Sequence, residues 1–548
     1  MKRAFLILII LLSLFLRIYC LQEVPPSLNW DEISHGYNAY SILKTGKDEW
    51  GKTFPLIFQA YGDFKLPLYI YLTVLPVFLF GLNAFSVRLV SVLAGTGLVL
   101  LAFLFTQKLT GNKKISMFAG LLTAISPWSL FVSRIAVEAN LGAFLFALGI
   151  YFFYIWLDKP DKKWLVWTII FWGFSLYSYN SARILVPFFL VILLYFVWKK
   201  KSQKQLLVPG IILLIFLTPL IFQLLNKSGS ARFNSVSLVD QGVVNQIIEK
   251  RNSAKLPDNI ARLIYNKPSY FVYKAAGNYL LNLSPKYLFF YGGSHYQFSL
   301  PNHELLYLVT APFLVLGLLK VLFSRTNSLR VLCLWFFLSF IPSAVTKDAP
   351  HVLRTILILP SPMIISAIGL KTLSDFLKDR SRFKGNFLYG IFIMAILFSF
   401  CRWWNDYWKI YSNAYSWAWQ YGYKETVNFI KTNYDKYDKI IITKRYGEPH
   451  EFLLFYLKYD PKKYQNDSNR KWDYHANWYW VDGFDKFEFV NDWEVVGGVK
   501  CEVGSEKCLL ISSPGNYPEA MPVGRQGWSK IKTVNYLDGT PSFEILEK

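Results

Sequence analysis

From Met1 to about Cys401 the chain returns repeatedly to apolar runs close to twenty residues long, and this repetition limits what it can fold into. A helix needs roughly 20 predominantly apolar residues to cross about 30 Å of hydrocarbon. Runs at 4–22, 87–107, 115–131, 139–157, 164–179, 183–198, 206–225, 303–323, 330–346, 354–372 and 386–402 meet or approach that length. The reading is a polytopic α-helical membrane protein embedded in a lipid bilayer. Composition agrees, with 53% of residues hydrophobic and only 17% charged.

The net charge of +23 raises nucleic acid as a partner, but its distribution argues against that class. Lys and Arg gather in short gaps between apolar runs: Lys108/Lys113/Lys114, Lys159/Lys162/Lys163, residues 199–201 with Lys204, Arg325/Arg330, and Lys378/Arg380/Arg382/Lys384. With Lys2 and Arg3, all of these are cytoplasmic if the N-terminus is inside, as membrane insertion favours. The apolar stretch after Lys2-Arg3 has no small-residue cleavage site and reads as an uncleaved first span. One segment sets the register. Residues 66–82 are apolar enough to span, yet counting them moves every basic linker outside. They contain Pro67 and Pro76 and end in Gly81-Leu82-Asn83, so they read as an interfacial or re-entrant helix.

About eleven spanning helices follow, with residues 1–402 as the membrane domain and 403–548 as an extracytoplasmic C-terminal domain. In the latter, a helix is expected over 424–434, a strand over 439–443 and a helix over 448–459. Alternating segments near 478–490 and 495–512 are expected as strands. A small α/β or α+β domain results. Cys501 and Cys508 are close enough to bridge a hairpin there, two free thiols being the alternative.

The outer linkers 23–86 and 226–302 hold most of the acidic, His and Asn residues of the membrane half. Asn29-Trp30-Asp31-Glu32-Ile33-Ser34-His35 stands directly after the first span. Adjacent carboxylates at a membrane surface are costly unless solvated, paired or used, although a helix N-cap accounts for the Asn-x-Asp pattern equally well. Tyr61-Gly62-Asp63-Phe64-Lys65-Leu66-Pro67 repeats the combination of acid, base and helix start.

Together with Phe85-Ser86-Val87-Arg88-Leu89 opening the next span, the two motifs resemble the membrane glycosyltransferases of the GT-C fold. The likeness is to protein O-mannosyltransferases and to the aminoarabinose transferase that modifies lipid A. It covers about residues 1–400 and is strongest over 17–90. It implies an inverting enzyme that takes a sugar from a polyprenyl-phosphate-linked donor and gives it to an extracytoplasmic acceptor. In that family the position of Asp31 is the proposed catalytic base or acceptor-orienting residue, and Glu32 matches its acidic partner. Asp63 and Lys65 match the residues that line the cavity near the donor phosphate or a bound metal, with Asp at 63 where the aminoarabinose transferase typically has Glu. The residue types suit the reaction: a carboxylate takes the acceptor's proton, and cations stabilise the leaving phosphate.

Three outer residues join the list as donor-phosphate contacts: Arg354 and His351 from the Lys347–Arg354 stretch, and Arg183 from the corner after Tyr177. Snorkelling to headgroups is the bland alternative for Arg354. His35 lies one helical turn after Asp31, and with Asp63 they are ligand types for a divalent metal, though some relatives of this kind work without one. A flippase or transporter of lipid-linked sugars, or a non-catalytic envelope assembly protein, are the rival readings.

Overall fold

The protein is described from a computed structural model, covering residues 2–62, 64–225, 236–380, 382–475, 478–496, 498, 501, 507–516 and 528–548. Asp63 lies outside the described residues. The N-terminal part forms four helices: α1 (Lys2–Ile18), α2 (Trp30–Thr45), α3 (Pro67–Phe80) and α4 (Ala84–Thr110). Among the described residues, six helices are long and apolar enough to cross a membrane: α4, Glu138–Asp158, Asn180–Lys199, Gln203–Gln223, Asn327–Ala344 and Phe387–Ala414. Shorter apolar helices include Ala4–Ile18, Pro67–Phe80 and Leu308–Leu322. This is an integral membrane protein.

The chain divides into two compact units. The first comprises Met1–Tyr19, Ser91–Ser133 and Glu138–Trp404; the second comprises Cys20–Val90, Arg134–Val137 and Asn405–Lys548.

The first unit is helical. The run at 115–131 is not one straight helix: Lys113–Ile125 and Pro127–Ser133 meet at a 54° bend. Pro127 has no N–H and its ring clashes with the preceding turn. The backbone groups freed there find other partners. Trp128 N donates to Leu305 O at 3.2 Å, and Arg17 Nη1 donates to Ala124 O at 3.1 Å. A fully buried arginine is tolerated at such a break because it satisfies carbonyls that lipid cannot. Elsewhere the helices approach closely through glycine. A Cβ on Gly369 would lie 1.9 Å from Phe313 O, and one on Gly317 would lie 2.0 Å from Ile365 O. Helices Ala311–Leu322 and Ser361–Arg380 therefore touch backbone to backbone, as small residues allow in lipid.

The second unit carries the sheets. A short hairpin pairs β1 (Phe58–Gln59) with β2 (Phe64–Lys65) antiparallel. The C-terminal part adds β3 (Lys439–Thr443), β4 (Lys471–His475), β5 (Trp478–Phe484), β6 (Phe487–Val490), β7 (Cys508–Ser512), β8 (Ser529–Asn535) and β9 (Pro541–Glu547). They form one mixed sheet in the order β4-β5-β6-β3-β7-β9-β8. β3 is central and parallel to both β6 and β7. Its Ile440-Ile441-Ile442 core is almost fully buried, as expected of a strand covered on both faces. Helices Tyr423–Thr432 and Pro449–Tyr456 complete the α/β arrangement, and Cys501 is disulfide-bonded to Cys508.

Candidate functional site

The sequence around Asp31 folds as a capped helix start. Asn29 has extended backbone geometry, and its side chain accepts from Glu32 N at 3.0 Å. Glu32 Oε2 in turn accepts from Asn29 N at 3.2 Å, completing a reciprocal capping box. The N-cap alternative and the functional one therefore hold together: the cap sets the direction in which Asp31 leaves the first turn of α2.

Glu32 and Asp31 have opposite surroundings. Arg88, in the opening turns of α4, is fully buried and grips Glu32 through Nε to Oε1 at 2.8 Å and Nη2 to Oε2 at 2.9 Å. Ala136 N donates to the same Oε1 at 2.7 Å. The remaining Arg88 donors go to Leu21 O, Pro25 O and Ser27 O. A buried pair with these hydrogen bonds satisfied resists separation. Asp31 keeps its side chain half exposed, and Lys65 Nζ contacts its Oδ1 at 2.8 Å. The β1–β2 hairpin delivers Lys65, which is only 7% exposed, and also brings its ammonium within 3.2 Å of Asp31 O.

His35 lies beneath this pair, with Nδ1 3.2 Å from Ala136 O and its ring 5.1 Å from that of Tyr69. Burial, reinforced by Lys65, pushes its pKa down to about 3 against the opposing pull of Asp31. The imidazole is therefore neutral at ordinary pH. Beside it, Tyr61 donates to Trp30 O at 3.0 Å and lies 3.2 Å from Glu451 Oε1. Burial raises the Glu451 carboxyl above the usual carboxylate range despite the opposing Lys65 charge. Trp30, Tyr61 and Trp478 form a ring cluster with centroids 5.8–6.3 Å apart. A separate recess of about 430 Å³ in this unit is lined by Ser27, Tyr421, Glu425, Tyr456 and Lys458, among others. Among the described residues, none of the candidate site residues lines it.

Arg354, His351 and Arg183 belong to the first unit. Arg354 Nη1 donates to Thr346 Oγ1 at 2.9 Å and to Lys347 O, and Nη2 lies 3.5 Å from Asp348 Oδ2. His351 Nδ1 accepts from Arg354 N at 3.3 Å, so the two form one compact turn. Ser181 Oγ donates to Arg354 O at 3.0 Å, which ties that turn to the start of helix Asn180–Lys199, where Arg183 stands. Arg183 donates to Leu176 O and to Gln223 Oε1. The structure thus groups the candidates as Asp31, Glu32, His35 and Lys65 in one unit, and Arg183, His351 and Arg354 in the other. Sequence reading missed the role of Arg88 as the partner of Glu32; the signal was a charged residue inside an apolar run.

Comparison with known proteins gives a consistent answer at the level of fold. A family model described as dolichyl-phosphate-mannose-protein mannosyltransferase matches residues 65–222. ArnT from Cupriavidus metallidurans, solved bound to undecaprenyl phosphate, aligns over 100% of this chain and 97% of its own, at 12% identity and a TM-score of 0.54. The oligosaccharyltransferase AglB from Archaeoglobus fulgidus, solved with an inhibitory peptide and a dolichol-phosphate, aligns over 83% of this chain at 15% identity and a TM-score of 0.52. The chain spans 63% of that archaeal protein. The archaeal enzyme in complex with Zn and sulfate aligns at 15% identity over 82% of this chain and 61% of its own, with a TM-score of 0.51. No curated protein matches by sequence. The chain has the GT-C fold and is similar to these membrane glycosyltransferases.

Proposed function

We propose that this protein is an inverting glycosyltransferase that moves a sugar from a polyprenyl-phosphate carrier to an extracytoplasmic acceptor, whether lipid, glycan or protein. The observation that carries the reading is the half-exposed Asp31 carboxylate, set on a capped helix whose neighbour Glu32 is locked by Arg88 and opposed at 2.8 Å by the Lys65 ammonium. Asp31 accepts the proton of the acceptor hydroxyl as that oxygen bonds to the anomeric carbon. The bond from that carbon to the carrier phosphate breaks on the opposite face, its electron pair leaves with the phosphate, and the anomeric centre inverts. Arg354, His351 and Arg183 are the proposed phosphate contacts, and Lys65 is the proposed cation beside Asp31 that meets developing negative charge. Glu32 positions Asp31, and Asp63 is the proposed second acid of the loop. The proposed threading has about eleven crossings, the N-terminus cytoplasmic and residues 403–548 extracytoplasmic in a cell membrane.

A divalent metal fits this reading as an addition. Asp31, His35 and Asp63 are the proposed ligands. If His35 Nδ1 donates to Ala136 O, Nε2 is the lone-pair nitrogen, as such second contacts arrange in metal-binding histidines.

The test uses purified protein in nanodiscs with radiolabelled polyprenyl-phosphate sugars and a crude envelope fraction as acceptor. Donor-dependent label transfer is expected. Folded protein that moves the intact donor across the bilayer without cleaving it would overturn the proposal in favour of a transporter.

A further inference from the structure

We infer that Glu49, His450 and Glu451 form a second, separate site for a divalent transition-metal ion, of the zinc class, within the second unit. One ligand atom from each of the three lies within 4.8 Å of the other two. All three side chains are at least 98% buried. The chain folds to bring them together: Glu49 follows the turn that ends α2, and His450 and Glu451 open the helix Pro449–Tyr456.

The two carboxylates are each held through one oxygen by a neighbouring side chain. Asn38 Nδ2 donates to Glu49 Oε1 at 2.8 Å, and Tyr61 lies 3.2 Å from Glu451 Oε1. His450 Nδ1 is buried without a hydrogen-bond partner, and so are Glu49 Oε2 and Glu451 Oε2 when both carboxyls are ionised; with one of them protonated, Glu49 and Glu451 hydrogen-bond each other. Glu448 Oε2 stands 3.4 Å from that nitrogen, outside hydrogen-bond geometry. Among the described residues neither Glu49 nor Glu451 forms an ion pair with Lys or Arg, although the field of Lys65 reaches Glu451.

Unpaired buried carboxylates are expensive. A proton shared between Glu49 and Glu451 joins two oxygens and does nothing for the imidazole. A dication satisfies all three atoms and balances both carboxylates. Bonds of about 2.0–2.2 Å place the ligand atoms of one zinc ion roughly 3.5 Å apart, so small side-chain shifts close the observed spacing. A mixed nitrogen and oxygen set suits zinc, cobalt or manganese better than calcium or magnesium, which favour oxygen alone. Such an ion staples the loop after α2 to the helix Pro449–Tyr456, behind the Trp30–Tyr61 platform. The inference does not rest on the transfer reaction.

The test is elemental analysis of the full-length protein, purified in detergent without a metal-affinity tag. Wild type is expected to carry one ion beyond any held at Asp31, His35 and Asp63, and Glu451→Gln and His450→Gln are each expected to lose that one ion, while Asp31→Asn and Asp63→Asn keep it. Cobalt(II) added to wild type after chelation provides a readout that does not depend on the variants folding. Visible bands of low-symmetry nitrogen and oxygen ligation are expected, with a raised thermal midpoint. Wild type that takes up neither zinc nor cobalt overturns the proposal and leaves the cluster to protons. So does a metal content that is the same in wild type, His450→Gln and Glu451→Gln.

Discussion

Asp31 and Glu32 are adjacent in sequence and differ in how much water reaches them. Glu32 is fully engaged, by Arg88, Ala136 N and the capping bond from Asn29 N. Removing Arg88 leaves that carboxylate buried without its counter-charge, which typically costs about 3–5 kcal/mol. Arg88→Met is expected to lower the unfolding midpoint accordingly in detergent. Arg88→Lys is expected not to restore it, because a point charge cannot make the two-nitrogen grip. His35 gives a second test at this scale. Its folded pKa of about 3 lies below the ordinary 6.5, so the unfolded chain binds a proton that the folded chain refuses in between. Its contribution to stability is full above about pH 6.5 and lost progressively as pH falls toward 3. Between about pH 7.5 and 5.5 that amounts to roughly 1 kcal/mol. The charged groups facing the imidazole are Asp31 and Lys65. His35→Asn is expected to flatten this part of the dependence in thermal unfolding, and an unchanged slope would assign the pH response elsewhere.

At the scale of elements, what was local in the sequence was legible. Asn29 could be read as an N-cap because capping involves residues three apart, and Asn29→Ala is expected to cost about 1 kcal/mol in the same unfolding assay. The strand Lys439–Thr443 was legible from three consecutive isoleucines, and the Cys501–Cys508 bridge from its short loop. The sheet order was not, because β3 pairs with β6 and β7 through residues some fifty positions or more away. Nor were β8 and β9 found, since β8 is mostly exposed and polar and β9 buries its apolar residues in adjacent pairs, so neither alternates cleanly. Pro127 was visible, yet the apolar run through it read as one span; only the diverted bonds of Trp128 and Arg17 show why the bend is stable. The glycine contact between helices Ala311–Leu322 and Ser361–Arg380 is likewise tertiary. Gly369→Leu forces those backbones apart and is expected to cost at least about 1–3 kcal/mol, seen as a lower midpoint and poorer yield of folded protein.

For the whole molecule, the composition shift near residue 402 gave no hint that Cys20–Val90 and Arg134–Val137 pack into one compact unit with Asn405–Lys548. Helix packing and loop closure over hundreds of residues decide that, and no local pattern records it. The candidate site was legible in its first-loop half, where acid, base and cap lie in short motifs. Arg88 escaped because its partner is fifty-six residues away in the chain. The fold likeness to ArnT covers the whole chain, helices and sheet alike, while the assignment of chemistry rests on Asp31. The deciding measurement is the initial rate of sugar transfer at saturating donor for wild type and Asp31→Asn, with donor affinity and folded fraction measured on the same preparations. A base role predicts a rate loss of about 10²–10⁴-fold with donor affinity changed by no more than a few-fold. Equal rates, or a loss wholly explained by weaker donor binding, would contradict it.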